Sequence, residues 1–250
     1  MWYESIADLY DGLVQFDEDI PFFLEQCRRV DGPTVELMAG TGRVSIPLLE
    51  AGVDLTCVDL SEGMLRRLRA KLVQRKLSAR VVHGDVRNLE LPPDFALALL
   101  AFNGLSELVD EQDRRAALAH IRNLLRPGGR FVCTLHNPAV RLARMKDGTV
   151  EERRFPHPSG EGSVVFGIRC DYDPASHSAS GVQRFDLFSA KGERLERREI
   201  DVRFCVPDRD ELESMARQTG FEVESLYGDY RSSEYVEETS PYMIWVLRGR

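Results

Sequence analysis

The sequence predicts an α/β protein built on a doubly wound, seven-stranded, mostly parallel sheet whose last strand is antiparallel. Two observations predict it. From Pro33 to His136 short apolar runs alternate with longer stretches of three-to-four spacing, and the chain closes on two apolar runs with no helix between them. A third observation adds an antiparallel β insertion after strand five, because residues 151–206 lack helical periodicity and alternate apolar with polar residues.

The elements follow in order. Residues 1–32 read as helical: Ile6, Leu9, Tyr10, Leu13 and Val14 share one face, and "IPFFLEQCRRV" continues after an acidic break. "TVELM" is strand one, and "RVSIPLLEAG" is a helix stopped by Gly52. "DLTCVDL" is strand two, and Ser61 caps a helix with Met64, Leu65, Leu68 and Leu72 on one side. "ARVVHGD", "FALALLAF" and "GRFVCTLH" are strands three to five. The helix "EQDRRAALAHIRNLL" lies between the last two and ends at Pro127-Gly128-Gly129. The insertion holds "SVVFGIRCDY", "VQRFDLFSA" and "ERREIDVRFCV", with Ile200, Val202 and Phe204 opposed to Asp201 and Arg203, and a hairpin turn at Lys191-Gly192. Asp208 then caps "RDELESMARQTG", and "FEVESLYGDY" and "YMIWVLRG" form the closing antiparallel pair. The expected organisation is a helical lid segment at 1–32, a core at 33–138 and 207–250, and an insertion at 139–206. That insertion serves as a lid over a substrate or as the surface of a homodimer.

Composition narrows the function. The 250 residues, 43% hydrophobic and 30% charged, describe an ordinary globular chain, and a net charge of −8 disfavours a large grip on nucleic acid. The basic run "RRLRAKLVQRK" falls on a predicted helix, where a solvated face is expected. Cys27, Cys57, Cys133, Cys170 and Cys205 are odd in number and widely spaced, which fits a reducing compartment and gives no zinc pattern. With no basic and apolar leader at the N-terminus and no apolar run near the ~18 residues of a membrane span, a cytoplasmic location is expected.

Ligands of such sheets sit beyond the carboxyl ends of the strands. After strand one, Gly40 and Gly42 let the backbone approach a ligand, and Glu36 precedes Gly40 by four residues. Asp59 ends strand two, 23 residues after Glu36, where a carboxylate can grip ribose hydroxyls. NAD(P) and other nucleosides are equally compatible with these residues alone. Asp85 and the Val86 backbone after strand three, suited to an adenine edge, together with the turn "LRPGGRFV" and the closing strand pair, disfavour the dinucleotide.

Taken together, residues 34–138 and 207–248 resemble the class I S-adenosylmethionine-dependent methyltransferases, a Rossmann-like fold. "VELMAGTGR" resembles the first motif, implying Glu36, Gly40, Gly42 and Arg43 around the methionine part of the cofactor. "VDLSEGML" resembles the second, implying Asp59 at the ribose with Leu60 and Met64 beside it. "GDVRNL" resembles the third, implying Asp85 and Val86 at the adenine, and "LLAFNGLSEL" the fourth, implying Asn103 beside the sulfonium. "ADLYDGL" is similar to subfamilies that act on small molecules, implying that Tyr10 helps to close over the cofactor. One departure is Met38, where the family has glycine; its side chain is expected in the sheet packing, away from the cofactor.

The resemblance implies methyl transfer to an N or O atom of a small-molecule acceptor, an in-line displacement that needs orientation and no metal, nucleophile or covalent intermediate. His136 is a candidate base, and Tyr3, Tyr172, Arg203 and Tyr230 are candidates for the acceptor side. The alternatives are an NAD(P)-dependent oxidoreductase, a non-catalytic cofactor-binding protein of the same fold, and a tRNA or protein methyltransferase. The acidic balance favours a small acceptor.

Overall fold

The computed structural model describes residues 2–145 and 151–250. After a 3-10 turn at Trp2–Ile6 come the short helix α1 (Tyr10–Leu13) and α2 (Ile20–Arg28). Strand and helix then alternate as β1 (Thr34–Leu37), α3 (Ser45–Glu50), β2 (Leu55–Asp59), α4 (Glu62–Arg75), β3 (Arg80–His83) and β4 (Phe95–Leu100). A 3-10 turn at Gly104–Glu107 leads to α5 (Glu111–Leu124), β5 (Leu125–His136) and α6 (Pro138–Met145). The insertion carries β6 (Glu151–Pro156), β7 (Ser163–Asp173), β8 (Ser178–Phe188) and β9 (Arg194–Cys205); α7 (Arg209–Gln218), β10 (Phe221–Tyr227) and β11 (Tyr242–Gly249) complete the chain.

The main sheet has the order β10-β11-β5-β4-β1-β2-β3. β1 to β5 pair in parallel, and β11 runs antiparallel between β5 and β10, as the helix-free connection predicts. The order reverses between β1 and β4, so the crevice beyond their carboxyl ends is the topological switch point. Burial agrees with the continuous apolar runs: β1, β2 and β4 are buried at every position, whereas β3 at the edge is not. One apolar layer joins Leu118, Ile121, Leu212, Phe221 and Trp245 on one face, and another joins Phe22, Phe23, Leu65, Leu68 and Ile244 on the other. Cys57 and Cys133 lie in these layers as small hydrophobes.

The second sheet, β6-β7-β8-β9, is antiparallel throughout. It shares a third apolar cluster with the N-terminus, in which Ile6 and Leu9 meet Phe155, Phe166 and Phe185. Gly12 is needed for that contact, because a Cβ there would lie 2.6 Å from the Phe155 ring. Three features differ from the sequence reading. α6 and β6 were not expected: α6 is one short amphipathic stretch, and the charged run "EERRFP" gives β6 no clear alternation. β5 begins at Leu125, not after Gly129, because Gly128 at φ 73° lets the strand pass through the turn while Leu125 still pairs with Phe95. Among the described residues no helix is long and apolar enough to cross a membrane.

Candidate functional site

The turn after β1 is built from three consecutive left-handed positions at alternate residues: Met38 (φ 54°), Gly40 (φ 58°) and Gly42 (φ 85°). Gly40 faces open space, so its backbone stands bare at the crevice, and its N–H donates to Asp59 Oδ2 at 2.8 Å. Gly42 has a different reason: a Cβ would fall 2.4 Å from Leu68 Cδ1 on α4, so that side chain would have to shift. Met38 occupies a conformation that suits glycine, which accounts physically for glycine being usual there. Its side chain packs, partly buried, against the apolar layer that holds Leu37, Leu100 and Leu105, as expected, while the residue also lines the cavity, with the sulfur close to Gly104.

Asp59, at the end of β2, accepts from Gly40 N and from Ser61 N, each at 2.8 Å, and burial raises its pKa. Each carboxylate oxygen thus has one backbone donor and keeps acceptor capacity toward the crevice. Ser61 caps α4 by accepting from Met64 N and donates to Glu4, which also accepts from Gly63 N. After β3, Asp85 is held by the Arg87 guanidinium, which spans to Asp113 at 2.5 Å and holds the Asp85 carboxyl below its usual range. After β4, Phe102 and Asn103 are both left-handed, at φ 52° and 61°. Their N–H groups donate to Thr134 Oγ1 and O on β5, and Asn103 Oδ1 accepts from His136 N.

These strand ends enclose a cavity of about 400 Å³, lined by Met38, Gly40, Asp59, Leu60, Met64, Asp85 and Val86 among others. A second cavity of about 630 Å³ opens between the strand ends, the N-terminal segment and the second sheet, where Asn103 and His136 lie. Five residues line both and form the seam between them: Tyr3, Tyr10, Phe102, Glu107 and Arg203. Tyr3 Oη donates to Glu107 Oε1 at 3.0 Å. Burial, with Glu107 nearby, raises the Tyr3 phenol well above its usual range, and burial raises Tyr10 to about 12, so both stay protonated near neutral pH. His136 stacks on Tyr242; burial, then Arg141 and Arg144, lower its pKa to about 3, so the imidazole is neutral.

Other expected residues lie outside both linings. Glu36 is buried beneath the turn, accepts from Ser45 Oγ, and has its pKa pushed up to about 7 by burial. Arg43 forms a two-pronged pair with buried Asp19 at 2.6 and 2.7 Å and lies over the Phe16 and Phe102 rings. Tyr230 sits in an aromatic cluster with Phe16, Phe22, Phe23 and Tyr242. Tyr172, half-buried on β7, lines neither cavity. Sequence reasoning missed Glu107 and the arginines Arg141, Arg144, Arg153 and Arg154 of the second cavity. Glu107 already lies within "LLAFNGLSEL", four residues after Asn103, so the motif contained it and only its part in the cavity wall was missed. The arginines read locally as solvated charge.

Fold and site together define a nucleoside-binding α/β protein. The first cavity suits an adenosine carrying a cationic centre: apolar Val58, Met64 and Leu108 can sandwich a base, and four carboxylates face two guanidiniums among the described lining residues. Among the described residues no cluster of three or more His, Cys, Asp or Glu side chains is placed to hold a metal ion. A family model described as a methyltransferase domain matches residues 35–129. The chain is 24% identical over 242 residues to a cypemycin N-terminal methyltransferase from Streptomyces sp, covering 96% of this chain and 94% of that protein. It is 26% identical over 235 residues to a glycine/sarcosine N-methyltransferase from Parasynechococcus marenigrum, covering 91% and 78%. The solved structure of an S-adenosylmethionine-dependent methyltransferase from Clostridium acetobutylicum superposes with a TM-score of 0.81 at 18% identity, covering 98% of both chains. The methyltransferase-domain match and these likenesses support a class I S-adenosylmethionine-dependent methyltransferase with S-adenosylmethionine as its cofactor.

Proposed function

We propose that this methyltransferase acts on an amine nitrogen of a small molecule held in the second cavity. The observation that carries the reading is the seam, where two ligand-sized cavities share one wall of two tyrosines, Phe102, Glu107 and Arg203. In this reading Asp59 accepts from the ribose hydroxyls, Met64 packs on the adenine, and the Val86 backbone meets its edge. When bound, the cofactor supplies an electrophilic methyl group with a neutral thioether as leaving group. Tyr3, Tyr10 and Phe102 exclude water and narrow the approach to one line, which is where orientation lowers the barrier. Glu107 sets a carboxylate where an amine N–H can be accepted.

The protonated tyrosines and the His136 imidazole, a very weak base, are poorly suited to taking a proton from a hydroxyl, whereas a free amine needs no such help. The N-methyltransferase names of both relatives point the same way. The second sheet and the N-terminal segment serve as the lid. The test is incubation with radiolabelled S-adenosylmethionine and pools of small amines, with Asp59→Ala as control. Label recovered on a nitrogen supports the reading. Label found only on oxygen, on tRNA or on protein, or preference for NADH over S-adenosylhomocysteine in calorimetry, sinks it.

A further inference from the structure

Two carboxylates share one guanidinium in the wall of the first cavity, and they share it unequally. Asp85, after β3, takes both the backbone and the side chain of Arg87. Its Oδ1 accepts from the Arg87 backbone N–H at 2.9 Å and from Nε at 3.0 Å, and its Oδ2 accepts from Nε at 3.1 Å and from Nη2 at 2.5 Å. A carboxylate offers about four acceptor positions, so Asp85 is saturated within its own turn. Asp113, in the first turn of α5, accepts from Arg87 Nη1 at 2.5 Å on Oδ2. Its other oxygen, Oδ1, has no hydrogen bond among the described residues. Asp85, Arg87 and Asp113 all line the same cavity.

We propose that Asp113, and not Asp85, accepts the exocyclic amine of the cofactor's adenine, and that Asp85 is a positioning residue that holds Arg87 as a strut between the β3 turn and α5. The proposal rests on the methyltransferase reading of the first cavity. An exocyclic amine brings N–H donors and needs an oxygen with a lone pair to spare. To bond it, Asp85 would have to give up a charge-assisted contact to the guanidinium, whereas Asp113 gives up nothing. The Asp113 side chain is 37% exposed against 17% for Asp85, so it is the more open of the two to an incoming ligand. Arg87 Nη1 fixes Oδ2 and thereby leaves Oδ1 as the free acceptor. An acidic residue in the first turn of a helix complements its dipole, which accounts for a carboxylate at 113 but not for its anchoring across the wall to Arg87.

The assignment makes Asp113 a specificity-determining residue. Adenine and hypoxanthine differ at the position it reads: the amine of one donates, and the carbonyl of the other accepts. A carboxylate set against a carbonyl oxygen brings two acceptors together with no proton between them, so the site rejects an inosine-type ligand. An amide at 113 can present either an acceptor or a donor and therefore loses the distinction. An amide at 85 instead loosens Arg87, which weakens adenosyl and inosyl ligands alike.

The test is calorimetric titration of the whole protein with S-adenosylhomocysteine and with S-inosylhomocysteine, which carries a carbonyl in place of the amine, in the parent, Asp113→Asn and Asp85→Asn. The parent is expected to prefer the adenosyl ligand roughly tenfold or more. Asp113→Asn is expected to bind the two almost equally, and Asp85→Asn to keep the parent's preference whatever affinity it loses for both. The proposal is overturned if Asp113→Asn keeps the preference, if Asp85→Asn loses it, or if the parent binds S-adenosylhomocysteine without any preference. Should Asp113→Asn not fold, Asp113→Ser is held to the same comparison. A parent that does not bind S-adenosylhomocysteine at all removes the methyltransferase reading itself, and the proposal falls with it.

Discussion

Replacing Glu36 by Gln separates a structural carboxyl from a ligand. Glu36 is 2% exposed, lines neither cavity, and accepts from Ser45 Oγ beneath the glycine turn. Burial moves its pKa from 4.5 up to about 7, against the lowering effects of Ser45 and Arg43. The folded carboxyl therefore keeps its proton up to about pH 7, while the unfolded one loses it near 4.5. Between those values the native state binds more protons, so stability falls as pH rises through the window and levels off above about 7. At roughly 1.4 kcal/mol per pH unit the full effect is about 3 kcal/mol. Glutamine cannot ionise, so the stability of Glu36→Gln relative to the parent should rise by about that amount between pH 4.5 and 8. Any fixed packing cost of the amide cancels in this comparison. Urea unfolding of both proteins across the range measures it, with parallel titration of S-adenosylhomocysteine. A difference in stability that is flat with pH would refute the buried-acid reasoning. A large loss of S-adenosylhomocysteine affinity would show that the charge of Glu36 serves the ligand after all.

Asp59→Ala removes an acceptor used by two backbone N–H groups, so we expect roughly 1–3 kcal/mol of destabilisation by urea unfolding and at least a tenfold loss of S-adenosylhomocysteine affinity by calorimetry. At Met38, where φ is 54°, Met38→Ile should be less stable than Met38→Gly by roughly 1–2 kcal/mol, because a β-branched side chain is poorly tolerated in left-handed backbone. Equal stability of the two would show that the turn relaxes. The neutral His136 predicts a kcat profile with no inflection near pH 6.5 that depends on it; His136→Asn should lower kcat/KM while leaving the shape of the profile unchanged.

Much of this molecule was legible before folding because its signals are local. Ser61 and Asp208 cap α4 and α7 through their side chains, as their positions before amphipathic runs predict. The continuous apolar runs of β1, β2 and β4 announce strands covered on both faces, and the helix-free link to β11 announces its reversed direction. Asp59 and Gly40, 19 residues apart, were expected near one ligand; they are hydrogen-bonded to each other and line one cavity. Position 38 was read as sheet packing, and Met38 does pack on the core; that it also lines the cavity from left-handed backbone was not legible, because a sequence does not display φ.

The sequence by itself determined the order of strands and helices, the caps, the glycine turn and the acidic residues at successive strand ends. Each of these depends on backbone preferences and apolar periodicity within a few residues. Tertiary structure alone decided which side chains share a cavity. Arg43 turned inward to Asp19, and Glu36 was sealed beneath the turn. Glu107 was set beside Tyr3, more than a hundred residues from it in the chain, and residues of α6 and β6 were brought to the lining of the second cavity. No local rule encodes such meetings, because they depend on how the second sheet and the N-terminal segment pack over the strand ends. The first cavity is therefore lined largely by residues of the motifs, whereas the second exists only in the folded chain.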